Sequence, residues 1–176
     1  LYNLLDSWGI WRQLYVSLDD LIKTFETLNP AKMRVETESI VPVKVLYDCY
    51  NANPESMTNA LSCLAAMSKE IDRRSVFIAG CMADLGDHAE SLHFELGQHA
   101  ADSGVDVLLA AGPYAGQIIE GAAEADQSPD FMQQYEKTDQ LCDNLHKWVK
   151  PDDIILVKGS RSANLEKAVD RLRKLF

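Results

Sequence analysis

Apolar residues recur along this chain with two different periods, and the alternation between them outlines a fold. After Ser17, a plausible N-cap, Leu18, Leu21, Ile22, Phe25 and Leu28 fall three or four residues apart. That spacing predicts a helix, which Asn29-Pro30 stops. Residues 1–28 as a whole read as two helices. The short extended stretches 33–40 and 43–48, separated by Val41-Pro42, predict an antiparallel strand pair.

From residue 54 onward, amphipathic helical stretches alternate with apolar runs. Helices are expected over 54–69, 89–103, 114–123, 139–149 and 162–175. Between them lie the apolar runs 76–80, 105–111 and 154–157 and a weaker extended segment, 131–135. Apolar runs separated by amphipathic helices imply parallel strands covered on both faces. The expected class is therefore α/β: a Rossmann-like, open, mostly parallel sheet with helices on both faces and an antiparallel pair near the N-terminus. The expected boundaries are a helical segment over 1–28 and the sheet domain over 29–176. In sheets of this kind ligands bind beyond the carboxyl ends of the strands. Those ends here are 48–54, 80–86, 112–114 and 158–161, which selects Asp48, Asn51, Asn53, Lys158 and Arg161 on placement alone.

Composition narrows the functional classes. With 27 acidic against 17 basic residues the formal charge is −10, which argues against a nucleic-acid surface built on clustered cations. An anionic ligand must instead meet a few locally placed positive groups. The cysteines at 49, 63, 81 and 142 form no C-x-x-C pair, a usage that fits reduced thiols in the cytoplasm better than a disulfide framework or a zinc site. No apolar run approaches the roughly 20 residues of a membrane span. Position 1 is Leu rather than Met, which reads as the interior of a longer chain.

Four ordered segments then carry a resemblance. Asp48 to Met57 reads DCYNANPESM, 32–36 reads KMRVE, 80–93 reads GCMADLGDHAESLH and 156–166 reads LVKGSRSANLE. Together they resemble the C-terminal domain of the Mur ligases, in the branch that adds D-alanyl-D-alanine to UDP-N-acetylmuramoyl-tripeptide during peptidoglycan synthesis. Asp84 stands where that pattern commonly has Glu, and Asn164-Leu165 where it has a basic residue and Met. Tyr2-Asn3-Leu4-Leu5 resembles the end of the family's central domain only at Asn3, since Trp8, Trp11 and Arg12 occupy positions that are usually small.

The resemblance implies residue roles, each with a plainer alternative. Asp48 resembles the carboxylate that takes the ATP ribose, or it caps the following helix. Arg34 resembles an arginine that reaches the nucleotide phosphates, or it is a solvated strand charge, and Asn3 is carried over with it to the ATP site. Asn51 contacts substrate or fixes the turn, whereas Asn53 reads as structural. Lys158, Ser160 and Arg161 precede a helix N-terminus and resemble a cradle for the free carboxylate of the incoming dipeptide, or they form a capped loop with exposed charges. His88, His93 and His99 are five and six residues apart and do not stack as a metal pair would, and Gly80 and Gly86 are expected in turns.

No G-x-x-G-K-[ST] phosphate loop occurs in these residues. The family phosphorylates the substrate carboxylate with ATP and magnesium, after which the incoming amine attacks the acyl phosphate. The resemblance therefore implies that the magnesium ligands, the phosphate loop and the partner central domain lie outside this chain. It also implies that no catalytic residue lies within it and that the chain is inactive alone. Two rivals remain: another amino-acid-adding Mur-type ligase, whose D-Y-A-H-x-P differs from DCYNANP, and a non-catalytic nucleotide-binding or interaction module of the same fold.

Overall fold

The computed structural model describes residues 36–176 and, before them, positions 17, 19, 20, 22 and 23. The chain falls into two compact units, 1–31 and 32–176. In the first, residues 19, 20, 22 and 23 are helical. Ser17 Oγ accepts the Asp20 N–H at 3.2 Å, the bond expected of an N-cap. Asn3, Arg34, Trp8, Trp11 and Arg12 lie outside the described residues.

The second unit is a six-stranded sheet built from β1 (Glu36–Ile40), β2 (Val43–Asp48), β3 (Ser75–Gly80), β4 (Val107–Ala111), β5 (Phe131–Tyr135) and β6 (Ile154–Lys158). Their spatial order is β1-β2-β6-β3-β4-β5. β1 runs antiparallel to β2 and every other neighbouring pair is parallel. The helices are α1 (Pro54–Glu70), α2 (Ala89–Asp102), α3 (Ala115–Ala123), α4 (Thr138–Asn144) and α5 (Glu166–Leu175).

Strand residues alternate between two cores. Leu46, Phe77, Ala79, Leu108 and Leu156 face α1, α2 and α3, while Val45, Val76, Ile78, Val107 and Val157 face α4 and α5. The central strands β3, β4 and β6 are buried along their whole length, as their unbroken apolar runs require. β5, with Gln133 and Gln134 at its centre, is the partly exposed edge.

Of the stretch 33–40, the described part is the strand Glu36–Ile40, and 33–35 lie outside the described residues. Three other boundaries differ from expectation. β4 begins at Val107 because Val105 is spent closing the preceding helix, its N–H bonding Ala100 O at 3.3 Å. The helix expected over 139–149 ends at Asn144 and tightens into a 3₁₀ turn, Leu145–Lys147. Trp148 beyond that turn donates Nε1–H to Tyr135 Oη at 2.7 Å. The closing helix starts at Glu166 rather than 162. A 3₁₀ turn at Arg161–Ala163 and a left-handed Asn164 (φ 51°) precede it. Asn tolerates that conformation better than most residues because its amide bonds locally; here Nδ2–H reaches Ser162 O at 3.0 Å.

At the amino end of the sheet a partly buried ion pair ties β3 to β6. Arg74 Nε and Nη2 donate to the two carboxylate oxygens of Asp153 at 2.9 and 2.7 Å. Nη2 also donates to Trp148 O, and Lys150 N–H donates to Asp153 Oδ2. A buried charge is tolerated when its lone pairs are filled in this way. These polar contacts leave the opposite, carboxyl end of the sheet as the side on which loops can carry a ligand site.

Candidate functional site

Strand order creates a crevice at that carboxyl end. The chain leaves β2 toward α1 on one face and leaves β6 toward α5 on the other. Neighbouring parallel strands whose exits diverge in this manner form a topological switch point. Asp48 and Lys158, the last residues of β2 and β6, are register partners there.

Asp48 Oδ2 accepts from Lys158 Nζ at 2.5 Å, and the same ammonium donates to Asn51 O at 3.1 Å. The lysine side chain is fully buried and that of Asp48 is 15% exposed. Asp48 does not cap α1. Asn53 does, its Oδ1 accepting the Ser56 N–H at 2.8 Å while Ser56 Oγ accepts the Asn53 N–H at 3.1 Å. This reciprocal capping box satisfies two otherwise orphaned donors. The helix-cap alternative for Asp48 is thereby removed, and the structural reading of Asn53 holds. Asn51 is exposed at the crevice rim. A groove of about 280 Å³ opens beside Asp48, walled by Leu46, Ala60, Cys63 and Leu156, with Ser56 and Asn59 at its polar side. One carboxylate oxygen held from below and a partly exposed carboxylate at an apolar groove suit the edge of a sugar carrying hydroxyl donors.

β6 leaves the sheet pressed against β3. A Cβ on Gly159 would lie 2.9 Å from Gly80 Cα and 3.0 Å from Leu165 Cδ1, and one on Gly80 would lie 2.7 Å from Ala163 Cβ. Gly80 was expected to permit a turn; its actual function is this close approach, and its φ is not positive. Gly86, with φ 56°, is the turn glycine. Beyond the glycines, Ser160 N–H donates to Cys81 O at 2.9 Å and its buried Oγ lies 2.9 Å from Ser162 Oγ. Arg161 stands outward, 59% exposed, with Nη1 3.9 Å from Glu166 Oε1. The expected cradle therefore separates by depth: Lys158 is enclosed, Ser160 is buried among loop groups, and Arg161 reaches solvent.

The β3 exit loop is held from beneath by His93. Met82 N–H donates to His93 Nε2 at 2.9 Å, while Nδ1 lies 2.6 Å from Ala89 O. Accepting at Nε2 while bonding a carbonyl at Nδ1 requires the neutral ring with its proton on Nδ1. The ring stacks on Tyr114 at 4.4 Å, joining the β3 and β4 exits. Burial lowers the imidazole's affinity for a proton, and the Ala89 bond opposes that only in part. A histidine whose folded pKa is depressed contributes stability above the usual imidazole range. That stability drains away as pH falls below about 6.5 toward the folded pKa. Urea unfolding of this chain is thus expected to show lower stability at pH 5.5 than at 7.5, with a smaller difference in His93→Gln. An equal pH dependence in the two proteins would contradict this account.

A second hollow, about 290 Å³, lies over the ends of β3, β4 and β5 and brings Cys81, Gly112, Lys137, Asp139, Asn164 and Lys167 together. Lys167 Nζ donates to Asp139 Oδ1 at 2.7 Å. Lys137 and Asp139 were not among the residues selected from the sequence because the end of the weakly patterned β5 was not among the candidate loops, and Lys167 lies within α5. Cys49 is buried, and desolvation pushes its thiol pKa up to about 12, so it is inert at neutral pH. Among the described residues no group of three or more His, Cys, Asp or Glu side chains could hold a metal ion. Nor, among them, is any helix long and apolar enough to cross a membrane.

Comparisons agree with this geometry. The family model described as Mur ligase, glutamate ligase domain, matches residues 33–161. The UDP-N-acetylmuramoyl-tripeptide–D-alanyl-D-alanine ligase of Mycobacterium tuberculosis (strain ATCC 25618 / H37Rv) is 34% identical over 145 residues, covering 74% of this chain and 28% of that protein. The enzyme of the same name from Escherichia coli (strain K12) is 34% identical over 132 residues, covering 74% and 27%. A crystal structure of MurF from Acinetobacter baumannii superposes with a TM-score of 0.75 at 26% identity, over 92% of this chain and 34% of that one. MurF from Thermotoga maritima in complex with ADP shares the fold, with a TM-score of 0.72 at 22% identity, over 95% and 36%. The chain thus spans only about 28% of the length of the first curated relatives. The resemblance drawn from the four motifs is borne out: the chain belongs to the Mur ligase family, as its glutamate ligase domain.

Proposed function

We propose that this chain is the C-terminal domain of an ATP-dependent ligase that adds D-alanyl-D-alanine to UDP-N-acetylmuramoyl-tripeptide in cytoplasmic peptidoglycan synthesis. What supports the proposal is the placement of Asp48 opposite Lys158 at the switch point, with Ser160 and Arg161 in the loop that leaves β6, on motifs that resemble those of ligases of that name. The Asp48 carboxylate accepts the ribose hydroxyls of ATP at the lip of its groove. Asn3 and Arg34, both outside the described residues, are assigned to the nucleotide by the sequence resemblance alone. Arg161, with its planar pair of donors at the rim, takes the free carboxylate of the dipeptide, and Asn51 borders the same crevice.

When bound, ATP and magnesium supply the phosphoryl group that activates the tripeptide carboxylate. The phosphate loop and the magnesium ligands belong to a central domain outside these residues, so the 176-residue chain does not turn over unaided. What this domain contributes is placement. It fixes the nucleotide by its sugar and brings the dipeptide amine to the acyl phosphate, where holding two reactants in register removes much of the entropic barrier.

The experiment is Arg161→Lys in the complete ligase carrying this domain. Replacing a bidentate guanidinium with a point charge is expected to raise the KM for D-alanyl-D-alanine about tenfold and leave that for ATP unchanged. A rise for ATP instead would assign Arg161 to the nucleotide, and no change in either would remove it from the site.

A further inference from the structure

We propose that Lys158 is a positioning residue for Asp48, and through it for the nucleotide ribose, rather than a ligand of the incoming dipeptide. This rests on the ribose-binding reading of Asp48. The Lys158 side chain has no exposed surface, so a dipeptide carboxylate could touch its ammonium only by displacing Asp48. Both hydrogen bonds made by Nζ go to one segment, the carboxylate that ends β2 and the Asn51 carbonyl three residues later. One buried cation thereby fixes both the orientation of the carboxylate and the path of the loop beside it.

The register explains why the chain places a lysine there. Asp48 and Lys158 lie opposite each other where the two chains part toward opposite faces of the sheet. Lysine reaches Asp48 and Asn51 through a slim apolar stem, while a planar guanidinium would need a wider space and a different donor geometry. Among the described residues Asp48 uses only Oδ2 for this contact. Oδ1 is then the oxygen that addresses the ribose, in an orientation set by the lysine. Desolvation also makes the pair interdependent, because either charge left alone in this position loses its compensation.

The test is run on the complete ligase that carries this domain, with ATP and 2′,3′-dideoxy-ATP as the probes. Wild type is expected to favour ATP in kcat/KM by about tenfold, the value of roughly one charge-assisted hydrogen bond. Lys158→Met is expected to lose most of that preference and raise the KM for ATP while the KM for D-alanyl-D-alanine stays the same. Full retention of the preference in Lys158→Met overturns the proposal, as does a rise in the dipeptide KM alone. A variant merely impaired in folding would lower kcat with the active fraction and leave the preference intact. Since Lys158→Met leaves a carboxylate unpaired, Lys158→Met/Asp48→Asn is the companion variant. It removes both charges and should show the same residual preference as Asp48→Asn alone, because the lysine acts only through the carboxylate. A further fall in the double variant overturns the proposal. If wild type itself shows no preference, the ribose reading of Asp48 fails, an outcome distinct from a preference that survives the loss of Lys158.

Discussion

Gly97→Ala is expected to lower the melting temperature of this chain by roughly 10 °C, which corresponds to about 3 kcal/mol at some 3–4 °C per kcal/mol for a domain of this size. The reason is a backbone-on-backbone crossing of α2 and α3. A Cβ on Gly97 would overlap the Ile118 carbonyl oxygen and lie 2.7 Å from Ala122 N. A Cβ on Gly121 would overlap the Phe94 carbonyl oxygen and lie 2.8 Å from its carbon. Main chain inside two helices cannot step aside, so the helices must separate and the core of Leu96, Ala100, Ile118 and Ala122 loosens with them. Gly116→Ala supplies the control in α3, the helix that α2 crosses at Gly97. Its added methyl meets only the end of the Gln134 side chain at 3.4 Å, and helix propensity favours Ala, so its effect should stay within about 1 kcal/mol in either direction. Thermal melts of the three proteins decide the matter. A Gly97→Ala melt within two or three degrees of wild type would mean that the helices do not cross this closely.

The sheet and most helices were legible because their signals are long and local. The apolar runs at 76–80 and 154–157 and the periodicity over 54–69 and 89–103 each specify one element without outside help. Loss of legibility began where a remote partner decides the outcome. Nothing near Asn164 signals a left-handed residue ahead of α5, where Leu165 is buried against Gly159 and against Gly80 at the end of the neighbouring strand β3. The order of strands is equally silent in the chain: β6, last in sequence, inserts between β2 and β3.

The candidate site was legible in its residues more than in its roles. Asp48 and Arg161 could be selected because they follow apolar runs. Lys158 was grouped with them as a cation aimed at a ligand, since a sequence shows a positive charge but not the carboxylate 110 positions away that neutralises it. Gly80 posed the same difficulty, because a glycine selected for close approach reads identically to one selected for a turn. Spacing set His93 apart from a metal pair in the sequence. Its part in holding Met82 depends on a helix and a loop meeting in space, which spacing alone does not give.

The proposed ribose-binding role of Asp48 is open to a direct test, and the structure determines which substitution provides it. Asp48→Ala would leave the Lys158 ammonium buried with neither its counter-charge nor an acceptor oxygen, a loss of about 3–5 kcal/mol that would confuse folding with binding. Asp48→Asn retains an oxygen for Lys158 while removing the charge and turning half of the group into a donor, which a ribose hydroxyl cannot meet by donating. A charge-assisted bond of this kind contributes about 1.5–3 kcal/mol, and each 1.4 kcal/mol is tenfold in affinity. The direct measurement is the KM for ATP, beside that for D-alanyl-D-alanine, in wild type and Asp48→Asn forms of the complete ligase, with melting curves confirming that both are folded. The account predicts an ATP KM raised about 10- to 100-fold with the dipeptide KM unchanged. A folded Asp48→Asn enzyme with the wild-type KM for ATP would contradict it.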